Sequence, residues 1–283
     1  MDVDLLLDNF AAIVEAPGGT RQLHRLVLDL AVSGRLVVQN EHDEPASTIL
    51  ALSEARKKDL IARELVPKPR ALTAVDNASP IEQFSLPASW QWTTLEDVAA
   101  YIQRGKGPKY AKSPTSVPVI SQKCIQWSGF DLGPARYVDE SSLEGYGVER
   151  YLQPGDLLWN STGTGTVGRV ALFPSGLSHR IVADSHVTVV RLAACSPRYV
   201  WTWLASTFVQ SRMERLTSGT TNQQELNVAT VRRMPVPIPP LAEQNRIVET
   251  VDELVGLCDR LQAAKEARSR SQARLADRLT RVL

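Results

Sequence analysis

The sequence predicts an α+β protein in which a mixed, strand-rich domain lies between helical ends. Three observations support this fold class. Apolar residues recur at helical spacing up to about residue 65, short runs rich in Val and Ile alternate with Gly and Pro from Trp90 onward, and a heptad pattern begins after Leu241. The chain has 283 residues, 43% of them hydrophobic, so it can hold one large domain with an appendage or two modest domains.

The N-terminal segment, residues 1–66, is predicted to be helical. Gly18 and Gly19 separate two hydrophobic stripes, and we expect Thr20 to cap the second helix and Gly34 to end it in a left-handed turn. A third helix is expected from Ser47 to about Leu65. The stripes consist of Leu5, Leu6, Phe10 and Ile13, and then of Leu23, Leu26, Val27, Leu30 and Ala31.

Residues 67–85 are predicted to be a linker, because Pro67, Pro69 and Pro80 fall among few large apolar residues. A single domain is expected over residues 86–240. Its strand signals lie at residues 117–120, 157–159, 170–173 and 181–183, and helices return over about 198–216.

Gly163, Gly165 and Gly168 satisfy the Gly-x-Gly-x-x-Gly pattern of a dinucleotide-binding loop. The residues from Val170 to Phe173 that follow are typical of a strand, whereas a pyrophosphate would need the N-terminus of a helix there. No Walker lysine follows the glycines either. A tight turn within the strand-rich domain is therefore the favoured interpretation.

A second boundary is predicted at residues 235–240, because four prolines at this density exclude both a helix and a central strand. Residues 241–283 then form a spacer helix, about 65 Å long at 1.5 Å per residue, with a coiled-coil seam. Lys265, Arg268 and Gln272 interrupt the seam, which indicates either a helix break or a partner that supplies carboxylates. The seam positions are Ile247, Leu254, Leu261, Leu275 and Val282, complemented by Val251, Cys258 and Leu279.

The net charge of +1 conceals an uneven distribution of charge. Residues 1–85 hold 9 Lys and Arg against 13 Asp and Glu, residues 86–240 hold 15 against 11, and residues 241–283 hold 8 against 7. The net charges are therefore −4, +4 and +1, and the middle of the chain is its basic part. A surplus of this size is common on ordinary surfaces, so alone it favours a nucleic-acid partner only mildly.

Composition argues against a membrane or secreted protein. No apolar stretch approaches the roughly 18 residues that cross a bilayer, and the start of the chain is acidic where a signal peptide would be basic. We therefore expect a cytoplasmic protein. Cys124, Cys195 and Cys258 are too far apart in sequence for a zinc or redox motif and are expected to be buried free thiols.

No catalytic motif is apparent. The Asn-Pro-Pro-Tyr and Asp-Pro-Pro-Tyr signatures of amino-methyltransferases do not occur, and the four histidines have no metal-ligand spacing. A triad of Asp184, Ser185 and His186 is rejected, because adjacent side chains on a strand point to opposite faces. The sequence therefore favours a non-catalytic protein.

Four stretches, in order along the chain, resemble the specificity subunits of Type I restriction-modification enzymes. Residues 28–37 with 43–47 are similar to the helical segment that precedes a recognition domain in this family, and residues 86–98 to the entry into that domain. Residues 151–158, 162–164 and 167–169 resemble its central strand and loop. The most specific stretch is 235–248, PVPIPPLAEQNRIV, which is similar to the exit into the spacer helix.

The resemblance implies a target-recognition domain that reads double-stranded DNA and has no metal or cofactor of its own. It implies a separate methyltransferase subunit that brings S-adenosylmethionine and flips an adenine, with or without a separate translocating nuclease (restriction) subunit. Family members usually carry two recognition domains and two spacers, whereas this chain has one of each. A homodimer, or a pair with another half-subunit, is therefore expected to read a bipartite site.

The resemblance also implies that polar residues of the middle domain contact DNA. The loop from Arg104 to Lys112 combines glycines with cations, which suits phosphate contacts. The segment 219–224 offers amides that could pair with adenine edges or hold the domain to its spacer, two interpretations that the sequence leaves equal. Trp127 is expected in the core. The candidates are Arg104, Lys106, Lys109, Lys112, Lys123, Gln126, Arg169, Asn222, Gln223 and Gln224.

An alternative remains: a truncated specificity protein that acts as a standalone DNA-binding or scaffold protein and pairs with a full-length specificity subunit. A neighbouring methyltransferase gene would favour the main interpretation. A standalone methyltransferase would instead require the isolated chain to bind S-adenosylmethionine.

Overall fold

The structure is a computed structural model, described here over residues 10–72, 81, 84–114, 117–163, 165–177, 180–218 and 224–280. Its order of elements confirms the α+β class, with helices at both ends and strands between them. The N-terminal helices are α1 (Phe10–Glu15), α2 (Gly19–Val32) and α3 (Ala46–Ala62).

The centre of the fold is a four-stranded antiparallel sheet with the order β2-β10-β7-β8. One of its two middle strands, β7, is buried at all four positions, which explains its near-continuous apolar sequence. The turn before β7 places the Asp156 carboxylate 2.7 Å from the Arg191 guanidinium, with the carboxylate side chain fully buried. The strands are β2 (Ala99–Arg104), β7 (Leu157–Asn160), β8 (Val170–Leu172) and β10 (Val187–Leu192).

Smaller strands surround this sheet. One three-stranded sheet has the order β6-β3-β9, in which β3 and β9 are parallel, and β4 and β5 form a hairpin. Their bounds are β3 (Pro118–Ile120), β4 (Ile125–Gln126), β5 (Gly129–Phe130), β6 (Arg136–Tyr137), β9 (Val182–Ala183), β11 (Thr217–Ser218) and β12 (Glu225–Leu226). Short helices are α4 (Leu95–Val98), α5 (Pro197–Ala205), α6 (Thr207–Gln210), α7 (Met213–Leu216) and α8 (Val228–Arg232).

The proline-rich segment forms a buried strand, β13 (Pro235–Ile238), that pairs with β1 (Gln91–Thr94) in a two-stranded ribbon. Prolines at alternate positions lack N–H groups on the edge that faces away from β1. The carbonyl oxygens of Pro235 and Pro237 instead accept hydrogen bonds from Trp203 Nε1 (2.8 Å) and the Tyr199 hydroxyl (2.7 Å) of α5. The sequence predicted that this segment is neither a helix nor a central strand, and a two-stranded ribbon is consistent with that prediction.

The long helix α9 (Leu241–Thr280) packs against α2 of the same chain. Ile247, Val251 and Cys258 are buried in this contact region, and Leu254 and Leu261 are half-buried. Leu275, beyond it, is 60% exposed. The side chain of Leu279 and all of Val282 lie outside the described residues.

The polar interruption of the seam is not a helix break, because α9 continues through it. Lys265 donates hydrogen bonds to the carbonyl oxygens of Val14, Glu15 and Ala16 at the end of α1. Arg268 binds the Glu15 carboxylate at 2.5 Å. Of the two alternatives that the sequence left open, a carboxylate does meet the seam, but the same chain supplies it.

The predicted cap at Thr20 is wrong. Gly18, with φ of 72°, occupies the N-cap position of α2, and Thr20 lies inside the first turn. Its hydroxyl donates to Gln262 Oε1 of α9 at 2.5 Å, so a long-range contact uses the group that could have capped the helix. The predicted end is confirmed, since Ser33 caps α2 and Gly34 has φ of 71°.

The three cysteines are buried and unpaired, which confirms their predicted state. None of the helices in the described ranges has the length and apolar character needed to cross a membrane.

Candidate nucleic-acid interface

Loops from five parts of the chain converge at one end of the central sheet. The amide N–H of Lys106 donates to Ala183 O (3.1 Å), that of Ser161 to His186 O (2.9 Å) and that of Gly163 to Gln224 O (3.3 Å). Asn160 Nδ2 also donates to Gln122 O at 3.3 Å. We call this the loop surface; its described residues are 105–112, 121–128, 161–163, 165–169, 184–186 and 224–226.

The first loop can join this surface because it begins with glycine. A Cβ atom at Gly105 would lie 2.1 Å from Asp184 O and 2.2 Å from Ala183 O, which is a severe backbone clash. Only a residue without a side chain allows the loop to cross the β9–β10 turn this closely. The glycine therefore positions the cations that follow it.

Arg104 lies at the end of β2 and is already paired. One guanidinium nitrogen lies 3.0 Å from the Glu225 carboxylate, and the other donates to Leu226 O at 3.0 Å. This arginine fastens β12 to the central sheet. The predicted phosphate contact would have to compete with that ion pair.

The lysines of the first loop are exposed. Lys106 donates to Gly145 O at 3.0 Å, and its ammonium lies 5.2 Å from the centre of the Tyr146 ring. Lys109 pairs with Asp139 at 3.0 Å, although its side chain is 72% exposed. Hydrogen bonds from Ser141 and Lys109 lower the pKa of Asp139 to about 2. Lys112 forms no ion pair with any described residue.

The second group of candidates surrounds the β4–β5 hairpin. Arg169 donates to Gln126 Oε1 at 2.6 Å and to Gly165 O at 3.1 Å, so these two candidates orient each other. Gln126 also donates to Lys123 O at 2.8 Å, while the Lys123 side chain is exposed. The structure therefore brings Lys123, Gln126 and Arg169 together.

Trp127 does not lie in the core, and that expectation was wrong. It occupies the tip of the β4–β5 hairpin and is 51% exposed. A two-residue turn holds it there, followed by Gly129 at φ of 118°. The Ser128-Gly129 dipeptide, a common turn signal, could have revealed a hairpin tip.

Two further groups, one at the edge of this surface and one within it, were missed by sequence reasoning. The Arg136 guanidinium carbon lies 3.4 Å from the centre of the Tyr110 ring, which adds an exposed cation to the first loop. His186 Nδ1 shares a 2.6 Å hydrogen bond with the Thr162 hydroxyl. Burial raises the pKa of the nearby Asp184 carboxyl, against the opposing effect of the His186 backbone N–H. Contacts of this kind join residues far apart in sequence, so spacing alone could not find them.

The glycines of the Gly-x-Gly-x-x-Gly match lie in the loop between β7 and β8, and the strand β8 follows, as predicted. Asn222 and Gln223 lie outside the described residues, whereas Gln224 is half-buried and contributes its backbone to the loop surface. Within the described ranges, no three His, Cys, Asp or Glu side chains are grouped so that they could hold a metal ion.

The fold thus defines a class of protein: a strand-rich domain that presents a loop surface with exposed cations and is mounted on a long helix. Residues 87–268 match the family described as "Type I restriction modification DNA specificity domain". The match covers well over half of the chain, and the protein belongs to this family.

Two curated proteins with similar sequences are also specificity subunits. The chain is 26% identical over 266 residues to the Type I restriction enzyme EcoEI specificity subunit of Escherichia coli, covering 91% of this chain and 44% of the relative. It is 28% identical over 256 residues to the EcoAI specificity subunit of the same organism, covering 86% and 41%. The chain therefore spans less than half the length of these relatives.

A solved structure concerned with complex assembly and conformational transition of the type I R-M system has the same fold. Its TM-score is 0.50 at 18% identity, and the match covers 94% of this chain and 55% of that chain.

Proposed function

We propose that this chain is the DNA-recognition component of a Type I restriction-modification system and reads one part of a bipartite site through the loop surface. The observation that carries this proposal is the convergence of loops bearing Lys106, Lys112 and Lys123 at one end of the sheet. Arg136 of β6 lies against the first loop, and all four side chains are exposed. Double-stranded DNA is the ligand whose charge fits such a surface.

The two halves of the loop surface have different tasks in this proposal. The loop from Gly105 to Lys112 meets phosphates, because its ammonium groups are exposed and the start of its backbone is held by hydrogen bonds to Val187 O and Ala183 O. The paired side chains of Gln126 and Arg169 meet base edges, since their mutual hydrogen bond pre-orients an amide and a guanidinium. Phosphate contacts set position, and base contacts set sequence preference.

In this proposal, partner subunits carry out the catalytic steps. A separate methyltransferase subunit binds S-adenosylmethionine and flips the adenine, and a restriction subunit joins when cleavage is required. This chain is the non-catalytic part of that complex and works in the cytoplasm, where it meets cellular DNA.

A bipartite site needs a second recognition surface. We propose that a second copy of this chain, or another half-subunit, supplies it, with the distal part of α9 as the contact. The exposed Leu275 lies in that part of the helix, beyond the contact with α2, and continues the heptad register.

Selection from randomised duplex DNA tests the recognition proposal. The purified full chain is bound to the library at about 0.1 M salt and the retained DNA is sequenced, with the variant Arg169→Ala in parallel. We expect wild type to enrich a defined motif and the variant to lose preference at one or two positions, at a cost of about 1–3 kcal/mol per position. Retained DNA without any sequence preference would contradict the proposal.

A further inference from the structure

A second basic surface lies beside the loop surface. It is a groove of about 480 Å³ along the outer edge of β2, closed on one side by the linker residues 67–70 and on the other by α8. Its cations come from α3, the linker, β2, the segment before β7 and α8. They are Lys57, Lys68, Arg70, Arg104, Arg150 and Arg232.

The groove carries more positive charge than its own carboxylates neutralise. Glu96 binds Arg232, and Glu225 binds Arg104. The ammonium of Lys57, by contrast, donates to a neutral backbone oxygen, that of Glu96, at 2.6 Å. A neutral partner does not cancel the charge of the ammonium, which the nearby Asp97 carboxylate offsets only in part.

The remaining cations have a long ion pair or none. Arg150 donates to Arg104 O and Gln103 Oε1 at 3.5 and 3.4 Å, and its nearest carboxylate, Glu149, is 3.9 Å away. Lys68 and Arg70 are exposed and form no ion pair with any described residue. The groove is therefore suited to an anion with several charges.

Its position indicates which anion. β2 ends at Arg104, and the next residue, Gly105, begins the loop surface, so the groove and the loop surface are continuous. Six residues of strand span about 20 Å, a length in which one strand of B-DNA presents about six phosphates at 3.4 Å of axis each. The arginines add planar donor groups that match phosphate oxygens.

We propose that this groove binds the phosphate backbone of the DNA that the loop surface reads, and so extends the footprint beyond the recognised bases. The proposal rests on the proposed function, because the same duplex occupies both surfaces. An acidic segment of a protein subunit would fit the charge but not the continuity with the loop surface.

The double variant Lys68→Ala with Arg70→Ala tests this proposal in the full chain. Both side chains are exposed, so the fold is preserved, which a thermal unfolding curve checks. The matched control is Lys58→Ala with Arg63→Ala, which removes the same charge from exposed positions of α3 and the turn after it, outside the groove. Fluorescence anisotropy with a selected duplex measures affinity from 0.05 to 0.3 M salt.

We expect the slope of log affinity against log salt to fall by about 1.8, at roughly 0.9 per phosphate contact, while the ratio of specific to nonspecific affinity stays unchanged. An unchanged slope, equal to that of the control, overturns the groove proposal and leaves recognition intact. Loss of co-purification with the methyltransferase at unchanged slope also overturns it and assigns the groove to a protein. A wild-type chain that binds no DNA overturns the proposed function itself.

Discussion

The ammonium group of Lys265, in the middle of α9, lies 2.7 Å from the carbonyl oxygen of Glu15, the last residue of α1. Its two other hydrogen bonds run to Val14 O and Ala16 O. A cation at the C-terminus of a helix satisfies unpaired carbonyls and complements the helix dipole. The contact fastens the start of the chain to the spacer helix.

Lys265→Met should therefore destabilise the docking of α1. We expect a loss of about 1 kcal/mol in the free energy of unfolding and faster proteolysis near residue 18, measured by urea denaturation and limited digestion. Arg270→Met is the control, because Arg270 is exposed and, among the described residues, its ion pair is with Glu266 of its own helix at 3.8 Å. Equal effects of the two changes would contradict this role.

Arg191→Met should lower the free energy of unfolding far more than Lys265→Met does. The change leaves the fully buried Asp156 carboxylate without its guanidinium, at a cost of about 3–5 kcal/mol. Burial already raises the pKa of Asp156, and Arg191 opposes that rise. Without Arg191 the folded-state pKa rises further, so the variant loses stability as pH increases from the unfolded pKa through the folded one.

The pH dependence separates this explanation from simple loss of packing. Denaturation of Arg191→Met at pH 4 and pH 7 should show a smaller deficit, relative to wild type, at pH 4, because the carboxyl is then protonated. The same deficit at both values would show that the charge of Asp156 is not the cause. Arg191→Lys should recover part of the stability at pH 7.

The lysines of the first loop should contribute to DNA affinity mainly through charge. Lys106→Ala with Lys109→Ala should weaken binding and lower the salt slope by between about 1 and 2, with the smaller value expected because Lys109 is paired with Asp139. Anisotropy titrations measure both quantities. A slope equal to that of wild type would show that the loop does not face DNA.

Trp127 offers a local optical probe of the loop surface. Trp90, Trp159 and Trp203 are buried and Trp92 and Trp201 are half-buried, whereas Trp127 is 51% exposed, so acrylamide quenching of the chain should report mainly on Trp127. Bound DNA should reduce the quenching constant about twofold, and Trp127→Phe should abolish that change while leaving the unfolding curve intact. Equal protection in the variant would place the hairpin tip outside the DNA contact.

Local elements were largely predictable from the sequence. The end of α2 at Ser33 and Gly34, the strand after the glycine-bearing loop and the start of α9 at Leu241 follow from caps, apolar runs and proline positions. Each depends on neighbours within a few residues, which is the range over which such signals act.

Partners across the fold were not predictable. The heptads of α9 indicate an apolar face but not that α2 of the same chain covers its first part. Thr20 could have capped a helix, yet it bonds with Gln262. Likewise, the sequence gives no sign that Arg104 is held by Glu225. Only the three-dimensional structure therefore separates the candidate DNA contacts that are exposed from those that are already paired.

Long-read mapping of methylated adenines tests the central claim most directly, in cells that express this chain together with a methyltransferase subunit and in matched cells that lack the chain. We expect methylation at one gapped, bipartite motif only when the chain is present, and a symmetric motif if two identical copies form the reader. An asymmetric motif would contradict the paired identical copies. An unchanged methylation pattern would contradict the assignment of this chain as the component that selects the DNA sequence.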